Sequence, residues 1–169
     1  MVQKNIICEL ERNIKVFKAL LSESTEEVIL WKQSVEKWCL LEIVCHLYDE
    51  EKEDFRARVK HILENPELPL KPINPVGWVS ERKYLQQNYV EILGKFLSER
   101  KQSVAWLKNL NHVNWSNVHK HPKLGDLSAK MIFANWLAHD YLHIRQIIRL
   151  KYDYMKSVTN ENLSYAGDW

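Results

Sequence analysis

The chain has 169 residues, 46% of them hydrophobic, with 24 basic residues against 22 acidic and a formal net charge of +2. That composition excludes disorder, and the balanced charge leaves no electrostatic footprint for nucleic acid or an acidic membrane. No uninterrupted apolar run reaches membrane length, and Lys4, Glu9, Glu11, Arg12, Lys15 and Lys18 break up any signal-peptide core. The three cysteines, Cys8, Cys39 and Cys45, make no disulfide framework and read as reduced residues of a cytoplasmic protein.

Residues 3–22 predict a first helix, because Ile7, Leu10, Ile14, Phe17 and Leu21 recur every three or four positions. Thr25 to Ser34 is a connection, with Trp31 expected across an end of the structure. A long second helix is expected over 35–64, with Ser34 as its N-cap. Its inward stripe is Leu40, Val44, Leu47, Glu51, Phe55, Val59 and Ile62, interrupted only by the charge of Glu51. His46 lies beside that stripe, and Glu42, Asp49 and Glu50 share its face.

Residues 65–78 contain Pro66, Pro69, Pro72 and Pro75, which predict an extended loop too long for a tight hairpin. A third helix is expected over 79–108, capped by Ser80, with Leu85, Tyr89, Ile92, Phe96, Ser103 and Leu107 inward. Asn109 to Asp126 is a second long connection, in which His119 and His121 read as surface or rim residues. The fourth helix is expected over 127–151 with Asp126 as cap. The tail 153–169 has no helical period, and its terminal Trp169 beside Tyr165 predicts docking. No strand pattern or repeat is visible. Neither a GxGxxG nor a GxxxxGK motif occurs among the 4 glycines. Residues 1–169 therefore read as one all-α domain, a four-helix bundle with long connections.

The fourth helix carries the chemistry. His139 and His143 are four residues apart, about 400° of rotation and 6 Å of rise, so both rings leave one face. Ile132, Gln146, Ile147 and Leu150 flank them, which places the pair in an inward stripe. Two imidazoles so placed can share a metal ion, or they can be core histidines bonded to backbone or carboxylates; alone, the motif is more often the latter. A third imidazole from another helix would make a three-nitrogen site with open positions. Of His46, His61, His112, His119 and His121, the best placed is His46; His61 is four turns further on, roughly 22 Å along the axis.

Two motifs, His46-Leu-Tyr-Asp49-Glu50-Glu preceded by Trp38 and Glu42, and His139-Asp140-Tyr-Leu-His143-Ile-Arg-Gln146-Ile, give the chain a likeness over nearly its whole length. It resembles the DinB/YfiT-like family. The resemblance implies an up-down-down-up four-helix bundle and a divalent metal held by three histidines, here His46, His139 and His143. It also implies an enzyme on a small-molecule substrate, since relatives include thiol S-transferases that use bacillithiol or similar low-molecular-weight thiols, and a mycothiol-dependent isomerase. The alternatives are a metal-dependent hydrolase and a non-catalytic metal-binding stress-response protein. Three neutral imidazoles would leave the ion its full charge and suit zinc, nickel or iron, with copper also compatible. A bound thiol would be held as thiolate, the nucleophilic form.

Supporting roles follow from the chemistry. Asp49 could bond the second ring nitrogen of His46, and Glu50 could act as a base. Asp140 and Gln146 could support the second motif. Each of the three acids also reads as a solvated helix carboxylate, and Gln146 as a core-edge amide. Trp136 reads as a pocket wall or as core. Cys39 reads as a redox neighbour of the site or as a buried thiol, and an exposed bundle face could pair two copies into a homodimer.

Overall fold

The structure, a computed structural model, describes residues 2–167. Four long helical rods carry the fold. The first is α1 (Val2–Leu21), followed by a short α2 (Glu26–Leu30). The second rod is continuous but composite: α3 (Leu40–Asp49), a π-helical stretch (Glu50–Phe55) and α4 (Arg56–Glu64). After α5 (Pro75–Glu81) come the third rod, α6 (Tyr89–Lys108), a hairpin of β1 (Val118–His121) and β2 (Gly125–Ser128), and the fourth rod, α7 (Ala129–Thr159).

Partner residues fix the directions. Along α1 and α7, Asn13 meets Asp140, and Phe17 and Leu21 share a core with Ile147 and Leu150, so the two run parallel. Glu11 pairs with Lys108 while Leu21 accepts from Tyr89, so α1 and α6 are antiparallel. His46 faces His139 and Phe55 stacks on Trp136, so the second rod opposes α7. Glu51 meets Arg100 and, one turn on, Arg56 reaches Ser103, so the second rod is parallel to α6. The result is an up-down-down-up four-helix bundle. Two parallel neighbours in sequence need a long return path, and residues 65–88 supply it.

Several expected boundaries move, each for a local reason. The second rod starts at Leu40, not Val35, because Glu42 accepts the Cys39 N–H at 2.9 Å and closes a capping box. Ser34 instead bonds Glu36 in the preceding turn. The proline-rich connection is not wholly extended: Pro75 opens α5, and Asn74 caps it by accepting from the Gly77 N–H at 3.1 Å. The third rod begins at Tyr89 under an Asn88 cap. Lys83, at φ 50°, breaks the chain before it, so Leu85 is exposed and Ser80 merely bonds Gly77.

The expected absence of strands is also corrected. Val118–His121 pairs antiparallel with Gly125–Ser128, and Gly125 at φ 74° supplies the left-handed residue the turn requires. Asp126 is therefore in a strand, and Ser128 caps α7 by accepting from the Met131 N–H at 3.2 Å. No Pro or Gly follows for many residues, so α7 runs on to Thr159, where Asn160 at φ 53° ends it. Beyond it Tyr165 is fully exposed, so no docking is made through that residue; Trp169 lies outside the described residues. Trp31 packs edge-on against Tyr154 of α7 at 5.7 Å. No helix among the described residues is long and apolar enough to cross a membrane.

Candidate metal centre

The second rod and α7 cross with their histidines face to face. His139 Nε2 lies 3.3 Å from His46 Nε2 and 3.0 Å from His143 Nε2. His46 and His143 are buried and His139 nearly so. Burial, helped by His143, pushes the His46 imidazole down to about 3. Burial, with His143, His46 and Arg100, pushes His139 down to about 2. Burial lowers His143 too, although Gln146 and Asp140 pull the other way. All three rings are neutral at pH 7, the form that offers a lone pair.

Hydrogen bonding alone does not satisfy this arrangement. Gln146 Oε1 lies 2.8 Å from His143 Nδ1, so that nitrogen carries the proton and His143 Nε2 presents a lone pair. His139 Nε2 has two nitrogen neighbours and at most one hydrogen to give. A cation would satisfy all three Nε2 atoms together. Nitrogens about 2.1 Å from one ion stand about 3.0 Å apart at right angles and about 3.4 Å apart at the tetrahedral angle. The observed 3.0 and 3.3 Å fall in that range, so the three side chains fit a divalent ion.

The other expected residues have other partners. Asp49 does not reach His46: its carboxylate accepts from Tyr84 Oη at 2.6 Å and pairs with Arg82 at 2.7 Å. His46 Nδ1 is buried with no partner, and the ring instead packs on Trp38 at 4.9 Å. Glu50 is buried in the π-helical stretch; burial raises its pKa, and the neighbouring Asp54 raises it further. Asp140 is wholly buried and accepts two bonds from Arg100, at 2.6 and 2.7 Å, and one from Asn13 at 2.8 Å. Glu42 caps α3 and meets Lys32. Cys39 is buried with a raised pKa, and burial pushes the Cys45 thiol up to about 12, so neither is an active nucleophile.

Sequence reasoning missed the cluster beside the histidines. Arg100 Nε donates to Glu51 at 2.8 Å, and Trp136 Nε1 donates to the same carboxylate at 2.9 Å. Burial opposes the Arg100 charge, but Asp140 and Glu51 outweigh it and raise its pKa. The cluster thus ties Asn13, Glu51, Arg100, Trp136 and Asp140 from four rods together. The apparent interruption of the stripe at Glu51 was its one legible signal. The π-helical stretch widens the turn here, as such stretches do at functional sites.

The remaining histidines lie apart from the centre. His61 and His119 pack edge-on at 6.0 Å and bond the Leu68 and Pro66 carbonyls. His119, expected at the surface, is buried on β1.

Comparison with known proteins agrees with this architecture. No curated protein matches the chain significantly. Among solved structures, YfiT from Bacillus subtilis superposes with a TM-score of 0.79 at 17% identity, over 90% of this chain and 87% of that one. That protein is described as a probable metal-dependent hydrolase with an unusual four-helix bundle topology. Residues 9–147, which include all three histidines, match the DinB superfamily, and the chain belongs to it.

Proposed function

We propose that the protein is a metal-dependent enzyme that holds a divalent cation on His46, His139 and His143 and acts on small molecules, with thiol S-transfer as its reaction. The observation that carries the reading is the convergence of three neutral Nε2 atoms, which a single cation would satisfy and a hydrogen-bond chain does not. A bound ion would supply a 2+ charge undiminished by anionic ligands, which lowers the pKa of a thiol or a water.

The chain's own residues divide the remaining work. Gln146 holds His143 in the tautomer that leaves Nε2 free. Glu50, buried four residues after His46 and with its pKa pushed up to about 8, is the acid–base group: it carries a proton at neutral pH and accepts one only in its ionised form. Asp140 fixes the backbone next to His139 through Arg100. Two grooves flank the histidines. Trp38 and Gln146, which touch His46 and His143, line one; Phe55, whose ring is 4.9 Å from His139, lines the other. Two approaches suit a reaction that joins two substrates, a low-molecular-weight thiol and an electrophile. Hydrolysis is the second reading, favoured by the description of YfiT as a probable metal-dependent hydrolase.

Metal content and turnover test the proposal together. Purified protein should carry about one equivalent of divalent metal, and His143→Ala should lose it. Conjugation of thiols to chlorodinitrobenzene should fall on chelation and return with metal. Chelator-sensitive cleavage of esters or amides with no conjugation would move the reaction to hydrolysis. Metal content unchanged in His143→Ala would remove the centre.

A further inference from the structure

A cavity of about 500 Å³ opens beside the histidines. One wall is a single face of α7, whose Leu142, Arg145, Gln146, Arg149, Leu150 and Asp153 follow helical three-and-four spacing. The other wall is the irregular segment before α3, with Trp31, Lys37 and Trp38. Its inner end reaches the centre twice, since Trp38 packs on His46 and Gln146 bonds His143.

The charge of this lining is one-sided. Lys37, Arg145 and Arg149 face one carboxylate, Asp153, which lies 2.9 Å from Arg149 and is committed to it. The groove on the Phe55 side is also rich in cations, Arg58, Lys71, Lys120 and Lys123, but it sets two carboxylates, Asp54 and Glu67, among them. The cationic cavity also carries two indoles and two leucines, and its volume suits a small organic ligand.

We infer that this cavity binds a carboxylate-bearing small molecule with a flat apolar body. Lys37 and Arg145 hold the carboxylate, and Trp31 and Trp38 cover the body. The molecule's far end then points past Gln146 to the histidines. The assignment rests on the proposed metal centre only for that orientation; the charge preference belongs to Lys37 and Arg145 and needs no metal.

That independence sets the experiment. Binding of 1-naphthoate and of its neutral counterpart 1-naphthamide would be measured by calorimetry on chelator-treated and on cobalt-loaded protein. Naphthoate should bind at least about tenfold tighter in both forms, as charge-assisted contacts require. Lys37→Gln combined with Arg145→Gln should bring the two probes within about threefold, leaving naphthamide affinity unchanged. Both changed residues are exposed, so the variant should fold. Equal affinities in the unaltered protein, failure of both probes to bind, or a preference that survives the double substitution would overturn the assignment. So would a preference seen only with cobalt, because the carboxylate would then be binding the ion. A protein that takes up no cobalt yet keeps the preference would leave this inference standing while the metal reading fell.

Discussion

Two polar clusters lie side by side in this bundle, and they are built on opposite terms. In the cluster around Arg100, nearly every buried group has its complement within the chain: one guanidinium serves two carboxylates, and an indole and an amide fill further positions, leaving only Glu51 Oε1 unpartnered. In the cluster around His139, two imidazole nitrogens crowd within hydrogen-bond range of a third, and the three share too few protons to pair off. The first cluster completes itself; the second is completed by something that arrives. Removing a member of each should therefore have different consequences, and the difference is measurable.

The largest effect belongs to Arg100. Replacing it with Met leaves Glu51 and Asp140 buried without their counter-charge, and should cost about 3–5 kcal/mol in urea unfolding whether or not metal is present. A loss confined to metal-loaded protein would mean that this cluster serves the centre and is not complete in itself. His139→Ala should behave in the contrary way. Metal-free stability should change by about 1 kcal/mol or less. The stabilisation conferred by metal, about 2.7 kcal/mol at a hundredfold excess over Kd, should disappear from thermal melts.

Between these lies Gln146, which belongs to the second cluster without touching a metal. Gln146→Leu removes the bond that fixes the His143 tautomer. Metal affinity should fall about 10–100-fold in competition with a chelating dye, with the number of ions bound at saturation unchanged. An unaltered affinity would show that helix packing alone holds the ring.

The contrast also explains what could be read in advance. His46, His139 and His143 were legible because helical spacing is a local property and three nitrogens on two rods have few uses. The direction of the rods was not in any periodicity; it came with the resemblance. Arg100 lay unnoticed on α6 because a single arginine has no pattern, and its partners Glu51 and Asp140 are 49 and 40 residues away. Asp49 was assigned to His46 because they share a helix face, yet Tyr84 reaches it from a segment that seemed part of a regular helix. The hairpin was invisible because four-residue strands hold too few positions to show alternation, and His119 entered the interior with them.

The effect that is smallest at neutral pH separates the two kinds of burial by pH in metal-free protein. The three imidazoles have folded pKa values below the unfolded value of about 6.5, with His46 at about 3 and His139 at about 2. Below pH 6.5 the unfolded chain takes up protons that the folded one refuses, so stability falls as the medium is acidified. Each such histidine contributes about 1.4 kcal/mol per pH unit until its own folded pKa is reached. Glu50 works in the other direction. Burial raises its folded pKa, so the folded chain keeps a proton that the unfolded one has lost above about 4.3, and stability falls as pH rises through that window. His139→Gln should therefore flatten the acid side of a stability–pH curve, and Glu50→Gln should lift the neutral side by about 1 kcal/mol. Adding metal should steepen the acid side, because the proton and the cation then compete for the same three nitrogens. If metal leaves that slope unchanged, the ion is bound elsewhere, and the crowding of the imidazoles is only a feature of packing.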